Sequence, residues 1–211
     1  MQLYGYFRSS AAYRVRIVAN LKGISLDYHP VDLSKGEQRN SASLARNPQG
    51  LVPTLITDDG QPLTQSLALC EYLDECYPDP PLLPGDAAQR ARIRALAQVI
   101  ACDIHPLNNL RVLTHLTGAL GLSQDSRLAW YRHWVATGLT AVETMLEPHR
   151  GRFCVGDQPT LADVCLVPQV FNAERFDCDL SAYPAIQAIC EQARCLPAFA
   201  KAAPEVQPDA R

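Results

Sequence analysis

Apolar positions recur with two different periods along this chain. In the N-terminal part, short apolar runs alternate with helical patterns. Leu3 to Phe7 reads as a strand ending at Arg8, Ser9 and Ser10; Tyr13 to Lys22 then carries Val15, Val18, Ala19 and Leu21 at helical spacing until Gly23 stops it. Leu26 to Leu33 reads as a second strand, and a return over a crossover helix gives a right-handed parallel βαβ unit. Val52 to Ile56, the turn Asp58-Asp59-Gly60, and Gln61-Pro62-Leu63 form a hairpin whose prolines sit at strand starts or edges, where a missing N–H is tolerated. A helix from about Ser66 to Cys76 follows. The order βαβ, connection, ββα is that of a thioredoxin-like domain, assigned to residues 1–82.

Between Pro78 and Pro84 the segment PDPPLLP breaks all periodicity, as a semi-rigid linker or surface loop does. Beyond it strand signals are sparse. Ala88 to about Leu116, Ser123 to Leu146, Thr160 to Phe171 and Pro184 to Cys195 carry apolar residues at helical spacing. The expected fold class is therefore α/β plus all-α, with residues 83–211 forming a helical bundle.

Composition narrows the choice of ligand. The chain has 211 residues, 47% apolar and 19% charged, which is globular material sufficient for two small cores. With a net charge of -3 and no Lys/Arg run, nucleic acid is excluded as a partner and a small molecule is expected. The opening MQLYGYFRSS is neither a signal peptide nor a membrane span, so a cytoplasmic location and no membrane partner are expected. Eight cysteines, none spaced C-x-x-C, read as buried reduced thiols. His29, His105, His115, His133 and His149 never fall four apart on a shared helix beside a carboxylate, so no metal is assigned.

Local chemistry is concentrated at helix starts. Ser9 and Ser10 precede the first helix, where hydroxyls and free amides suit an anion. Thr160 and Asp163, within GDQPTLAD, have capping-box spacing and serve folding. Pro106 falls inside a long helical pattern, removes one backbone bond and predicts a kink near Cys102 to His105.

YFRSS followed by RVRI, then NPQGLVP, QSLALCEYL, IHPLNN, GDQPTLADVCLVPQV and NAERF, occur in this order between residues 4 and 176. Together they resemble the zeta class of the glutathione transferase family. The resemblance implies the glutathione transferase fold, glutathione as cofactor, a homodimer, and isomerisation of a maleyl dicarboxylate. Maleylacetoacetate is the first substrate expectation and maleylpyruvate the second. A transferase that conjugates or dehalogenates electrophiles is an alternative, as is a non-catalytic binding module.

The resemblance also assigns residues. Ser9 matches the catalytic serine, with Ser10 as the alternative. Val52 and Pro53 match a cis-proline corner whose backbone pairs with the cysteinyl unit of glutathione. Gln65 and Ser66 match the γ-glutamyl pair, Gln49 a contact for the glycyl end, and Asp103 one for the γ-glutamyl amine. His105 and Asn109 match the active-site wall, while Arg8, Arg111 and Arg175 are candidate carboxylate clamps, a geometry the planar guanidinium suits. Ala11 and Tyr13 depart from the family, standing where many members carry Cys and Trp, so the nucleophile is expected to come from glutathione. A thiol of pKa about 8.5 is only a few per cent ionised at neutral pH. Lowering that pKa by about 2 units needs about 2.7 kcal/mol of preferential thiolate stabilisation.

Overall fold

The computed structural model describes residues 1–210. Strand β1 (Gln2–Gly5) is shorter than the apolar run that predicts it, because the chain turns on leaving Gly5. Ser9 donates its amide to the Tyr6 carbonyl at 2.9 Å, closing that turn, and then caps α1 (Ser10–Leu21). Gly23 ends α1 with φ of 67°, a left-handed conformation that costs glycine nothing. Strand β2 (Asp27–Pro30) pairs parallel with β1 from Gln2↔Asp27 to Gly5↔Pro30, so β2 extends no further than its partner.

The connection after β2, which carries no clear periodicity, holds short 3-10 turns at Leu33–Lys35 and Glu37–Arg39 and a helix, α2 (Ser41–Arg46). Asp32 and Asn40 cap the first turn and α2 through their side-chain oxygens. Strand β3 (Thr54–Ile56) pairs antiparallel with β1 and forms the expected hairpin with β4 (Pro62–Thr64). Sheet order is β2-β1-β3-β4, and α3 (Ser66–Cys76) follows. Leu3 and Leu55 from the sheet, Val15 and Val18 from α1, and Leu69 and Leu73 from α3 are all fully or almost fully buried.

The chain separates into two compact units, and the change falls between Leu82 and Leu83. In the second unit the pattern over 88–116 is not one kinked helix but four pieces. α4 (Ala87–Gln98) passes into a π-helical segment at Val99–Ile104, a 3-10 turn at His105–Asn108, and then α5 (Leu110–Gly118). Pro106 has no N–H to give the Cys102 carbonyl, so the regular ladder fails there. Asn109 restarts it, accepting the Arg111 amide at 3.1 Å on its side chain. α6 (Gln124–Leu146) approaches the π segment closely: a Cβ at Gly138 would lie 2.2 Å from Ile104 Cγ1. α7 (Leu161–Glu174) and α8 (Pro184–Arg194) complete the unit, whose core includes Ile93, Ile100, Leu139, Val142, Val164 and Ile186.

Asp163 is fully buried and reaches back from α7 to the Thr160 amide and hydroxyl, each at 2.8 Å. Its other oxygen takes the Cys154 amide at 2.8 Å, so it ties the preceding loop as well as the helix start. Burial pushes its carboxyl up, and these bonds oppose the shift.

Two further expectations need correction. The second domain does not continue through the described tail: residues 195–210 belong to the first unit. There α9 (Pro197–Ala200) packs on α1 and buries Phe199 completely. The cysteines are not uniformly buried either. Cys70, Cys154, Cys165 and Cys190 are buried and Cys178 half-buried, but Cys76, Cys102 and Cys195 are exposed at a helix end, in the π segment and just past α8. All eight are free thiols.

Candidate active site

The turn between β1 and α1 separates the two serines. Ser9 is the N-cap: half-buried, it accepts the Ala12 amide on Oγ at 3.2 Å. That bond uses a lone pair and leaves the hydroxyl proton available as a donor. Ser10 is the first residue of α1 and is buried. Arg8 is exposed, its guanidinium 4.7 Å from the Phe7 ring centroid.

A second cluster forms around the start of α3. The Val52-Pro53 peptide is cis, Pro53 is buried, and Val52 lies ahead of the first ladder residue, Thr54, so its backbone groups are outside the sheet. Gln65 holds φ of 69° and ψ of 112°, a conformation rare for any residue with a Cβ and characteristic of functional sites. Its Nε2 donates to Gln49 Oε1 at 2.8 Å, so two predicted cofactor contacts are in direct contact and both are exposed. Ser66 opens α3, where free amides and the positive helix end favour an anion.

Sequence reasoning missed Arg14. Its side chain is 2% exposed, and Nη1 donates to Ser66 Oγ at 3.2 Å. A buried guanidinium aimed at a helix start adds positive potential where the free amides already lie. The available signal was an arginine on the apolar stripe of α1, inside RVRI, where charge is not expected without a task.

In the helical unit, the π segment and the following turn carry Asp103 and His105. Asp103 is exposed, while His105 is half-buried with Nε2 3.3 Å from Asn109 Nδ2. The structure therefore joins His105 to Asn109, and gives Asn109 a capping duty besides. Arg111 is exposed in the first turn of α5. Arg175 follows α7, exposed, with Nη1 donating to Asn172 Oδ1 at 3.2 Å and its guanidinium 5.6 Å from the Phe176 ring centroid. Among the described residues no group of three or more His, Cys, Asp and Glu is placed to hold a metal, and no helix is long and apolar enough to cross a membrane.

The chain is similar to known proteins along its whole length. The model of the glutathione S-transferase N-terminal domain matches residues 3–81, and that of the C-terminal domain matches 135–193. The chain is 53% identical to the probable maleylacetoacetate isomerase of Vibrio cholerae, with 99% of this chain and 97% of that one covered. Among solved structures, the holo form of a maleyl pyruvate isomerase, described as a bacterial glutathione S-transferase of the zeta class, has a TM-score of 0.97 at 47% identity with both chains fully covered. The maleylacetoacetate isomerase of Methylobacterium extorquens AM1, with bound malonate and glutathione, has a TM-score of 0.97 at 46% identity, again over the whole of both chains. With both domain models matched and this identity sustained end to end, the chain belongs to the zeta class of the glutathione S-transferase family.

Proposed function

We propose that the protein is a glutathione-dependent isomerase that converts maleylacetoacetate into its fumaryl isomer. The observation that carries this reading is the presence of glutathione together with a dicarboxylate, malonate, in a relative that shares this fold over its whole length. The V. cholerae relative supports the same substrate. Similarity to a maleyl pyruvate isomerase favours maleylpyruvate as the second reading.

The glutathione thiolate forms a C–S bond at the alkene carbon beside the carboxylate, and the alkene π pair moves onto the keto oxygen as an enolate. The former double bond rotates as a single bond. The enolate then expels the thiolate, re-forming the double bond in the trans geometry, so glutathione returns unchanged and no proton is consumed. Ser9, its oxygen engaged by the Ala12 amide, donates a hydrogen bond to the thiolate sulfur; buried Ser10 is the poorer donor. Gln65, Ser66 and the start of α3 take the γ-glutamyl carboxylate, Val52 the cysteinyl backbone beside the Pro53 corner, and Gln49 the glycyl end. Asp103 takes the γ-glutamyl amine, with His105 and Asn109 lining the site. Arg8 and Arg175 hold substrate carboxylates and spread the enolate charge, with Arg111 as a third anchor. A homodimer and a cytoplasmic location belong to the same proposal.

Initial rates with maleylacetoacetate and maleylpyruvate, each with and without glutathione, test it. The expected result is glutathione-dependent turnover with maleylacetoacetate preferred. Turnover of neither acid, with conjugation of simple electrophiles retained, would make the protein a transferase instead.

A further inference from the structure

The tail beyond Cys195 does more than cover α1. Tyr6 to Ser9 form a turn closed by the Ser9 amide on the Tyr6 carbonyl, which leaves the N–H and C=O of Phe7, a central residue of the turn, without partners inside it. Phe7 is 5% exposed, so those groups must be satisfied by protein. Both are. Asp209 Oδ2, from the tail, accepts the Phe7 amide at 3.0 Å, and Arg16 Nη2, from α1, donates to the Phe7 carbonyl at 2.9 Å. Each gripping residue is itself held. Tyr28 from β2 donates its hydroxyl to the same Asp209 oxygen at 3.2 Å, and Arg16 Nε donates to the Ala202 carbonyl of the tail at 3.0 Å. Burial, and next the Asp209 charge, push the Tyr28 phenol up, so it remains a donor throughout the working pH range.

We propose that Asp209 is a positioning residue for the reaction: with Arg16 it fixes the two peptide groups on either side of Phe7 and thereby sets where Arg8 and Ser9, the next two residues, present their side chains. Phe199 burial and the bonds from Asn20 and Arg16 to the Ala198 and Ala202 carbonyls already staple the tail to α1. A carboxylate at 209 is not needed for that; besides the Tyr28 hydroxyl, it takes the amide of the Tyr6–Phe7 peptide inside the turn. A charge-assisted bond to a backbone amide is also the strong kind, suited to holding a loop in one conformation.

The inference rests on Ser9 stabilising the thiolate, and its test separates the two claims. The thiol pKa of bound glutathione is titrated by ultraviolet thiolate absorbance in the wild type, Ser9→Ala, Asp209→Ala, Asp209→Asn and the Ser9→Ala/Asp209→Ala double variant, with melting temperatures recorded for all. Asp209→Ala should raise the bound thiol pKa by about one unit and lower kcat by up to about tenfold, with glutathione affinity changed far less. Asp209→Asn, which keeps an acceptor oxygen, should recover most of both. The double variant should shift no further than Ser9→Ala alone. A shift in Ser9→Ala but none in folded Asp209→Ala overturns the positioning role and leaves the Ser9 reading intact. No shift in Ser9→Ala overturns both.

Discussion

Arg14 Nη1 meets Ser66 Oγ at 3.2 Å inside the thioredoxin-like unit, linking the middle of α1 to the first residue of α3. Because Ser66 opens a helix whose free amides are proposed to take the γ-glutamyl carboxylate, this guanidinium supports cofactor binding without standing near the sulfur. Arg14→Lys should therefore raise the glutathione KM by about tenfold to a hundredfold, the worth of one charged hydrogen bond at about 1.5 to 3 kcal/mol, and change kcat much less. Steady-state kinetics with glutathione varied checks the split. An equal loss in kcat at saturating glutathione would mean that Arg14 acts on the chemical step.

Arg175 separates an isomerase for dicarboxylates from a general transferase. If its guanidinium holds a substrate carboxylate, Arg175→Ala should lower maleyl-substrate kcat/KM by at least about tenfold, while conjugation of an uncharged electrophile barely changes. Lysine should rescue only part of the loss, since a point charge does not reproduce the planar fork. Both reactions are measured in one preparation with glutathione saturating. A parallel loss in the two reactions, or none in either, would remove Arg175 from the substrate site and leave Arg8 and Arg111 as anchors.

Asp163 predicts a loss of stability without a specific loss of catalysis. It is buried and accepts three hydrogen bonds, from the Cys154 amide and from the Thr160 amide and hydroxyl. Replacing it by alanine leaves two buried amides without acceptors, so the expected cost is about 2 to 4 kcal/mol, above the roughly 1 kcal/mol of an exposed cap. Denaturant unfolding measures that cost. Glutathione affinity of the folded variant should match the wild type, and a marked fall in it would tie the capping box to the site.

The parts of the fold legible in the sequence are those set by local rules. Gly23 and the Ser66 to Cys76 pattern placed helix ends correctly, and the Val52 to Leu63 hairpin followed from its turn residues and edge prolines. Pro106 announced a break, but that the helix falls into π and 3-10 pieces, with Gly138 lying close against Ile104, is carried by no local pattern. The tail falls in the helical half by its place in the chain alone, since the last helical pattern ends at Cys195. What draws it to the first unit is a set of distant donors on α1, which periodicity cannot show. Candidate site residues were nameable where a motif stands in one stretch, as with Ser9 or Gln65 and Ser66. Arg14, Arg16 and Asp209 were not, because their partners lie between 9 and 202 positions away.

The central claim is that glutathione is a catalyst and returns from every turnover. It is tested by following product formation from maleylacetoacetate and total free thiol in the same reaction, with glutathione held well below substrate. The account predicts many molecules of fumaryl product per glutathione, a free-thiol concentration unchanged at the end, and no rate when glutathione is omitted. Loss of one thiol for each substrate consumed would contradict it and identify the protein as a conjugating transferase.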